Sequence, residues 1–139
     1  MHRKNIIIIG CLAAGVYFAA AYWLQVAFDP RSTVDGDRLL LRRPYRTFLD
    51  SKFAAIAVDP RWRLTADSAD DNGRSDVELY EDDKLLGPAH SVHRDVGTIG
   101  QGRFSHWRNN FSMFLFSSSD NTDPNTNGRN YWAVRRPAR

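Results

Sequence analysis

Three histidines lie close together in the middle of the chain: His90, His93 three positions on, and His106. With Asp95 beside them, three imidazoles and one open position would suit a catalytic zinc ion, and with it a metal-dependent hydrolase. Against that stands the context: there is no HExxH pattern, and the Gly-rich stretch 97–102 fixes no ligand geometry. A second metal pattern opens at Asp123, where Asp123, Asn125, Asn127 and Gly128 match the start of a calcium loop. Its twelfth position is Val134 where a bidentate Glu is needed, which excludes an EF-hand and leaves a non-EF calcium site as the alternative. Ser105-His106 has no G-x-S-x-G setting, and Gly100-Gln101-Gly102 is a fragment of a phosphate loop, not a whole one. No catalytic set stands out, and a non-enzyme is expected.

Planar hydrogen-bonding groups are dense toward the C-terminus. Arg103, Trp107, Asp120, Asp123 and Arg129, with Asn121, Asn125 and Asn127 among them, would suit contact with a glycan or a protein partner. An aromatic ring beside Asp, Asn and Arg matches the apolar face and hydroxyl edge of a sugar. The plainer account is that Asp and Asn cap turns and tolerate strained loop backbones. From Asp67 to Asp83 the chain carries eight acids and one Arg, a run whose ordinary meaning is a solvated face.

These residues need elements to hold them, and the first candidate element is apolar. Ile6 to Phe28 runs 23 residues without a charged side chain. As a helix it would reach roughly 34 Å, enough for a bilayer core. A cleaved signal peptide would use His2-Arg3-Lys4 and the Ala19–Ala21 site, but the apolar run continues past that site through Phe28. Ile8-Ile9-Gly10-Cys11 is only a loose acylation box with a short lead-in. The expected reading is an uncleaved anchor over 1–28, its N-terminus cytoplasmic and its C-terminal domain extracytoplasmic or periplasmic, on the inner membrane. Gly10, Ala14, Gly15 and Ala19 give the small-xxx-small spacing that admits a neighbouring helix. Tyr22, Trp23 and Phe28 fit an interfacial aromatic belt, while Tyr17 and Phe18 sit where a lipid or pigment could pack.

Residues 29–50 read as a juxtamembrane linker in which Arg42 and Arg43 would meet anionic lipid, or else as a first strand with solvated arginines. Residues 51–139 hold short apolar or alternating runs between turn-rich loops: Phe53–Val58, Trp62–Thr65, Val77–Tyr80, Asn110–Phe116 and Gly128–Val134. A short turn over 93–96, capped by Ser91 and stopped by Gly97, breaks the pattern. The expected fold is a single transmembrane α-helix plus a mainly-β domain, an antiparallel β-sandwich or jelly-roll-like arrangement. Beyond the anchor the Lys and Arg total 17 and the acids 16, so nucleic acid is excluded as a partner. The lone cysteine, Cys11, leaves the β domain without disulfides.

Residues 77–131 carry VELYEDDKLLGPAHSVHRDVGTIGQGRFSHW and, further on, FLFSSSDNTDPNTNGRNY. This pattern resembles a β-rich module of bacterial envelope proteins, including ones acting on cell-surface glycans, where it follows membrane segments. The resemblance implies an extracytoplasmic β-sandwich beside a membrane and transfers no site residues. Anchor and domain together suggest a non-catalytic accessory subunit set beside integral membrane subunits, in a photosynthetic or other energy-transducing complex or an envelope-glycan machine. A membrane-tethered carbohydrate-binding module and the metal-dependent hydrolase are the alternatives.

Overall fold

The computed structural model describes residues 13–24 and 34–136, and the chain divides into two compact units, 1–31 and 32–139. In the first unit residues 13–24 are helical (α1). Among the described residues no helix is long and apolar enough to cross a membrane. The transmembrane helix expected over 1–28 is therefore corrected: the 12 described residues of α1 rise roughly 18 Å, short of the ~30 Å of a bilayer core. Gly10 and Phe28 lie outside the described residues. Ala14, Gly15, Ala19, Tyr22 and Trp23 are exposed on α1, and Tyr17 meets Phe18 edge-to-face at 5.6 Å. The single-pass, photosynthetic and accessory-subunit expectations built on the span gain nothing from α1.

The second unit is mainly β, with two antiparallel sheets. Its strands are β1 (Asp37–Leu41), β2 (Arg46–Thr47), β3 (Ala55–Val58), β4 (Val77–Glu81), β5 (Lys84–Leu85), β6 (Phe104–Arg108), β7 (Ser112–Phe116) and β8 (Tyr131–Arg135). One sheet has the order β1-β8-β4-β5 and the other β2-β3-β7-β6. Alternation decides which side chains meet between them. Leu39 and Leu41, Leu79, Phe114 and Phe116, and Tyr131 and Ala133 point inward and form one buried cluster drawn from both sheets. Burying each of the large apolar side chains contributes about 1.5–3 kcal/mol. The hairpins β2–β3, β4–β5 and β6–β7 each stay within a sheet, while the connections β1–β2, β3–β4, β5–β6 and β7–β8 cross from one sheet to the other.

Segment 29–50 thus supplies β1 and β2. Leu39, Leu41 and Tyr45 enter the core, so the strand alternative for this stretch is the one realised. Arg43 donates to the carbonyls of Pro124 (2.8 Å) and Arg129 and lies over the Tyr45 ring, while Arg42 stays exposed. Two local expectations change. Trp62–Thr65 is not a strand: Trp62 adopts φ 61° and Arg63–Thr65 forms a 3-10 turn, so the polar–apolar alternation there belongs to a turn. The turn after Ser91 is a helix, α2 (His93–Thr98), that runs through Gly97 and has no side-chain cap. A Cβ at Gly97 would come within 2.8 Å of the Ser51 Cβ, so this glycine serves close packing. Leu115 and Met113 on the outer face of β7 pack with Val96 of α2 and Ala54 in a second buried cluster.

Candidate functional site

The polar chemistry of the domain gathers at the β6 edge. Asp67 is fully buried and joins that edge through a parallel bridge opposite Trp107. Its N–H donates to the His106 carbonyl (2.9 Å), and its carbonyl accepts from the Arg108 N–H (2.7 Å). With the backbone so fixed, one carboxylate oxygen accepts the Ser75 N–H (2.8 Å) and the other lies 2.7 Å from His90 Nδ1. The carboxylate selects the Nδ1–H tautomer, so the lone pair of the neutral ring is on Nε2. The His90 side chain is 34% exposed, and its Nε2 has no partner among the described residues. His90 also holds a left-handed backbone, φ 54°, of a kind that concentrates at functional positions.

His106 is a different kind of histidine. It is buried, stacked flat on Phe114 at 4.5 Å, and held between Ser75 Oγ at Nδ1 (2.7 Å) and Ser112 Oγ at Nε2 (2.9 Å). The Ser112 hydroxyl proton goes to the Arg61 carbonyl, so Nε2–H donates to Ser112 and Ser75 donates to Nδ1. Burial pushes the His106 pKa down to about 4, opposed by the carboxylates of Asp67 and Asp76. His93 opens α2, with Nε2 3.4 Å from Ser105 Oγ and its ring edge-on to Trp107 at 4.9 Å; burial lowers its pKa as well. Each imidazole is thus committed to its own partner. Among the described residues no group of three His, Cys, Asp or Glu side chains could hold a metal ion.

Beside this network lies a cavity of about 350 Å³ walled by Trp107, His93, Val92, Asn72, Ser68 and Ser91. Ser68 and Ser91 adjoin Asp67 and His90 in sequence, but neither Asp67 nor His90 lines the cavity. Of the glycan candidates Trp107 alone faces it. Arg129 forms a two-point pair with Asp120 (2.6 and 2.9 Å) and reaches the buried Glu81 at 3.1 Å. Glu81 also accepts from Ser119 and from the Tyr131 hydroxyl (2.9 Å). Burial alone would raise the Glu81 pKa, but these donors outweigh it and hold it low. The Arg129 guanidinium, with Thr122, keeps Asp120 well below the ordinary carboxylate range. Arg103 donates to the Gly100 carbonyl (3.1 Å).

The calcium-loop residues are engaged too. One Asp123 oxygen accepts the Asn125 N–H (2.9 Å), and the Asn125 amide bonds both backbone groups of Tyr45. Asn127 accepts the Arg129 N–H and donates to the Tyr131 hydroxyl (2.8 Å). Asp67, Ser75, Asn72 and Ser68 were not singled out from the sequence. They sit in a run whose composition reads as solvated loop, and nothing local ties Asp67 to a histidine 23 positions on.

Fold and cavity define a class: an antiparallel β-sandwich with a ligand-sized hollow at one sheet edge. No protein-family model, curated protein or solved structure matches the chain. The resemblance of 77–131 to an envelope module rests on its residues alone.

Proposed function

We propose that the β domain is a non-catalytic carbohydrate-binding module, with the Trp107–His93 cavity as its sugar site. The carrying observation is Trp107 itself: a half-buried ring braced by His93 in a hollow whose rim bears Asn72, Ser68 and Ser91. A sugar ring offers one apolar face for the indole and hydroxyls for amide and hydroxyl groups. Burial of a ring with a few convergent polar groups is the common design of small-ligand sites.

Hydrolysis finds less support. Glycoside cleavage needs two carboxyl groups flanking the bond, and among the described residues no carboxylate lines this cavity. The Asp67–His90 pair has an oriented imidazole, but among the described residues no serine or threonine hydroxyl is hydrogen-bonded to Nε2 to act as nucleophile. Asp67 instead serves as a buried anchor for the 67–75 wall of the cavity.

The test is a glycan array probed with the whole chain, with and without calcium, followed by Trp107→Ala. Binding of at least one neutral glycan is expected, weakened tenfold or more by the substitution, as for a ring stacking contribution of about 1–1.5 kcal/mol plus lost burial. An array with no retained glycan, or a Trp107→Ala protein that binds unchanged, would sink the reading.

A further inference from the structure

We infer that the β2 edge of the second sheet is a separate groove for an anionic polysaccharide, whose acidic groups meet Arg42, Arg46 and Lys52. Two cavities adjoin there and share Arg46. One, of about 380 Å³, brings Thr47 and Lys52 against Asn121, Thr122 and Asp123. The other, of about 330 Å³, is walled by Arg42, Pro44, Ile56, Val58 and Phe111.

The charges in this groove are unspent. Arg43, Arg129, Arg135 and Arg136 are each tied to carbonyls or carboxylates. By contrast Arg42, Arg46 and Lys52 are exposed, and no hydrogen bond or ion pair to another described residue engages their cationic groups. Asp123 is the one acid among the described residues lining either cavity, and its oxygens already take the Asn125 N–H and the Thr126 hydroxyl. An unpaired guanidinium is a fork for carboxylate, sulfate or phosphate.

The second lobe adds an apolar floor. Phe111, 61% exposed at the β6–β7 turn, and Val58, 53% exposed, present surface on which a pyranose ring can lie. Successive cations beside an aromatic ring match a chain of pyranose rings that each carry a charge and offer an apolar C–H face. An acidic peptide would gain most by extending the sheet, but β2 has only two residues. Directly before it the Asn125 side chain occupies both the N–H and the carbonyl of Tyr45. A bilayer is flat where these lobes are concave.

The inference shares only its ligand class with the sugar site at Trp107, and the two fail separately because their variants do not overlap. The experiment measures binding of the whole chain to sodium polygalacturonate, neutral dextran, poly-L-glutamate and phosphatidylglycerol vesicles. Polygalacturonate alone is expected to bind, more weakly as salt rises from about 0.05 to 0.5 M. Arg46→Gln with Lys52→Gln should weaken it roughly tenfold or more, since the two lost charge-assisted bonds at exposed positions are together worth about that factor. Phe111→Ala should cost a few-fold. Lys84→Gln with Arg94→Gln, which removes the same net charge elsewhere, and Trp107→Ala should leave binding within twofold. These exposed positions keep the fold, checked by an unchanged Tm. Equal loss in the charge-matched control, stronger retention by poly-L-glutamate or vesicles, or no binding to polygalacturonate would each overturn the proposal.

Discussion

His106 sets the acid sensitivity of the domain. Its Nδ1 accepts from Ser75, and its Nε2–H donates to Ser112, so the neutral ring is fully satisfied. A proton on Nδ1 would face a hydroxyl already turned toward it, in a buried setting beside Phe114. The folded pKa of about 4 lies below the ordinary 6.5, so the unfolded chain takes its proton first. The resulting stability is complete above pH 6.5 and is lost as the pH falls toward 4. Its size is on the order of 3 kcal/mol at most, at 1.36 kcal/mol per unit. His93, also lowered, adds in the same direction. Urea midpoints recorded from pH 7 to pH 4 should therefore fall before the carboxylates titrate, and His106→Gln should flatten that part of the curve. A profile level from 7 to 5 would contradict it. These roles were hidden in the sequence for a definite reason. His90, His93 and His106 are near one another along the chain, but they lie before α2, at its start and on β6, each turned to its own partner. Spacing suggested a shared ligand, and the intervening backbone directions decide otherwise.

At the scale of elements, alternation was a sound guide wherever a strand buries one face. Val77–Tyr80 and the Asn110–Phe116 run were legible, and the latter holds an inner strand, β7, between β3 and β6. Trp62–Thr65 misled because a few residues of alternation fit a tight turn equally well. For the N-terminal apolar run hydropathy reports the length of apolar sequence, and among the described residues no helix reaches the length of a membrane span. Gly97 is the sharper case. Read as a stop, it lies within α2 because Ser51 approaches the helix there. Two effects oppose one another in Gly97→Ala: helix propensity gains up to about 1 kcal/mol, and overpacking costs about 1–3 kcal/mol. The 2.8 Å approach to a Cβ, not to a movable side-chain tip, decides for a net loss of about 1–2 kcal/mol. Ser51→Gly in the same chain should recover most of it, a coupling seen in a double-mutant cycle of urea midpoints. Additive losses would show that the contact is not the cause.

The whole molecule depends on a polar strap that composition made look free. The loop between β7 and β8 is rich in Asp, Asn, Ser and Thr, and from sequence it offers itself as a binding surface. In the fold its groups are turned inward to hold the rest of the domain. Asn125 clamps Tyr45 ahead of β2, Arg43 bonds the loop carbonyls, and Glu81 at the end of β4 gathers Ser119, Arg129 and Tyr131. One loop thereby joins segments of both sheets, which a core formed between them needs at its rim. Glu81 is the point where this strap is most exposed to test. It is 4% exposed, and without it a guanidinium and a buried phenol lose their shared acceptor. Leaving a buried donor without its acceptor costs about 1–3 kcal/mol. The exposed Arg129–Asp120 pair that remains is screened by solvent and adds little. Glu81→Ala should accordingly lower stability by about 2–3 kcal/mol in urea unfolding. Glu81→Gln, which keeps an oxygen for the Tyr131 hydroxyl, should lose less, and Asp120→Asn less again. If Glu81→Ala cost no more than Asp120→Asn, the loop would be an accessory to the sandwich and not its fastening.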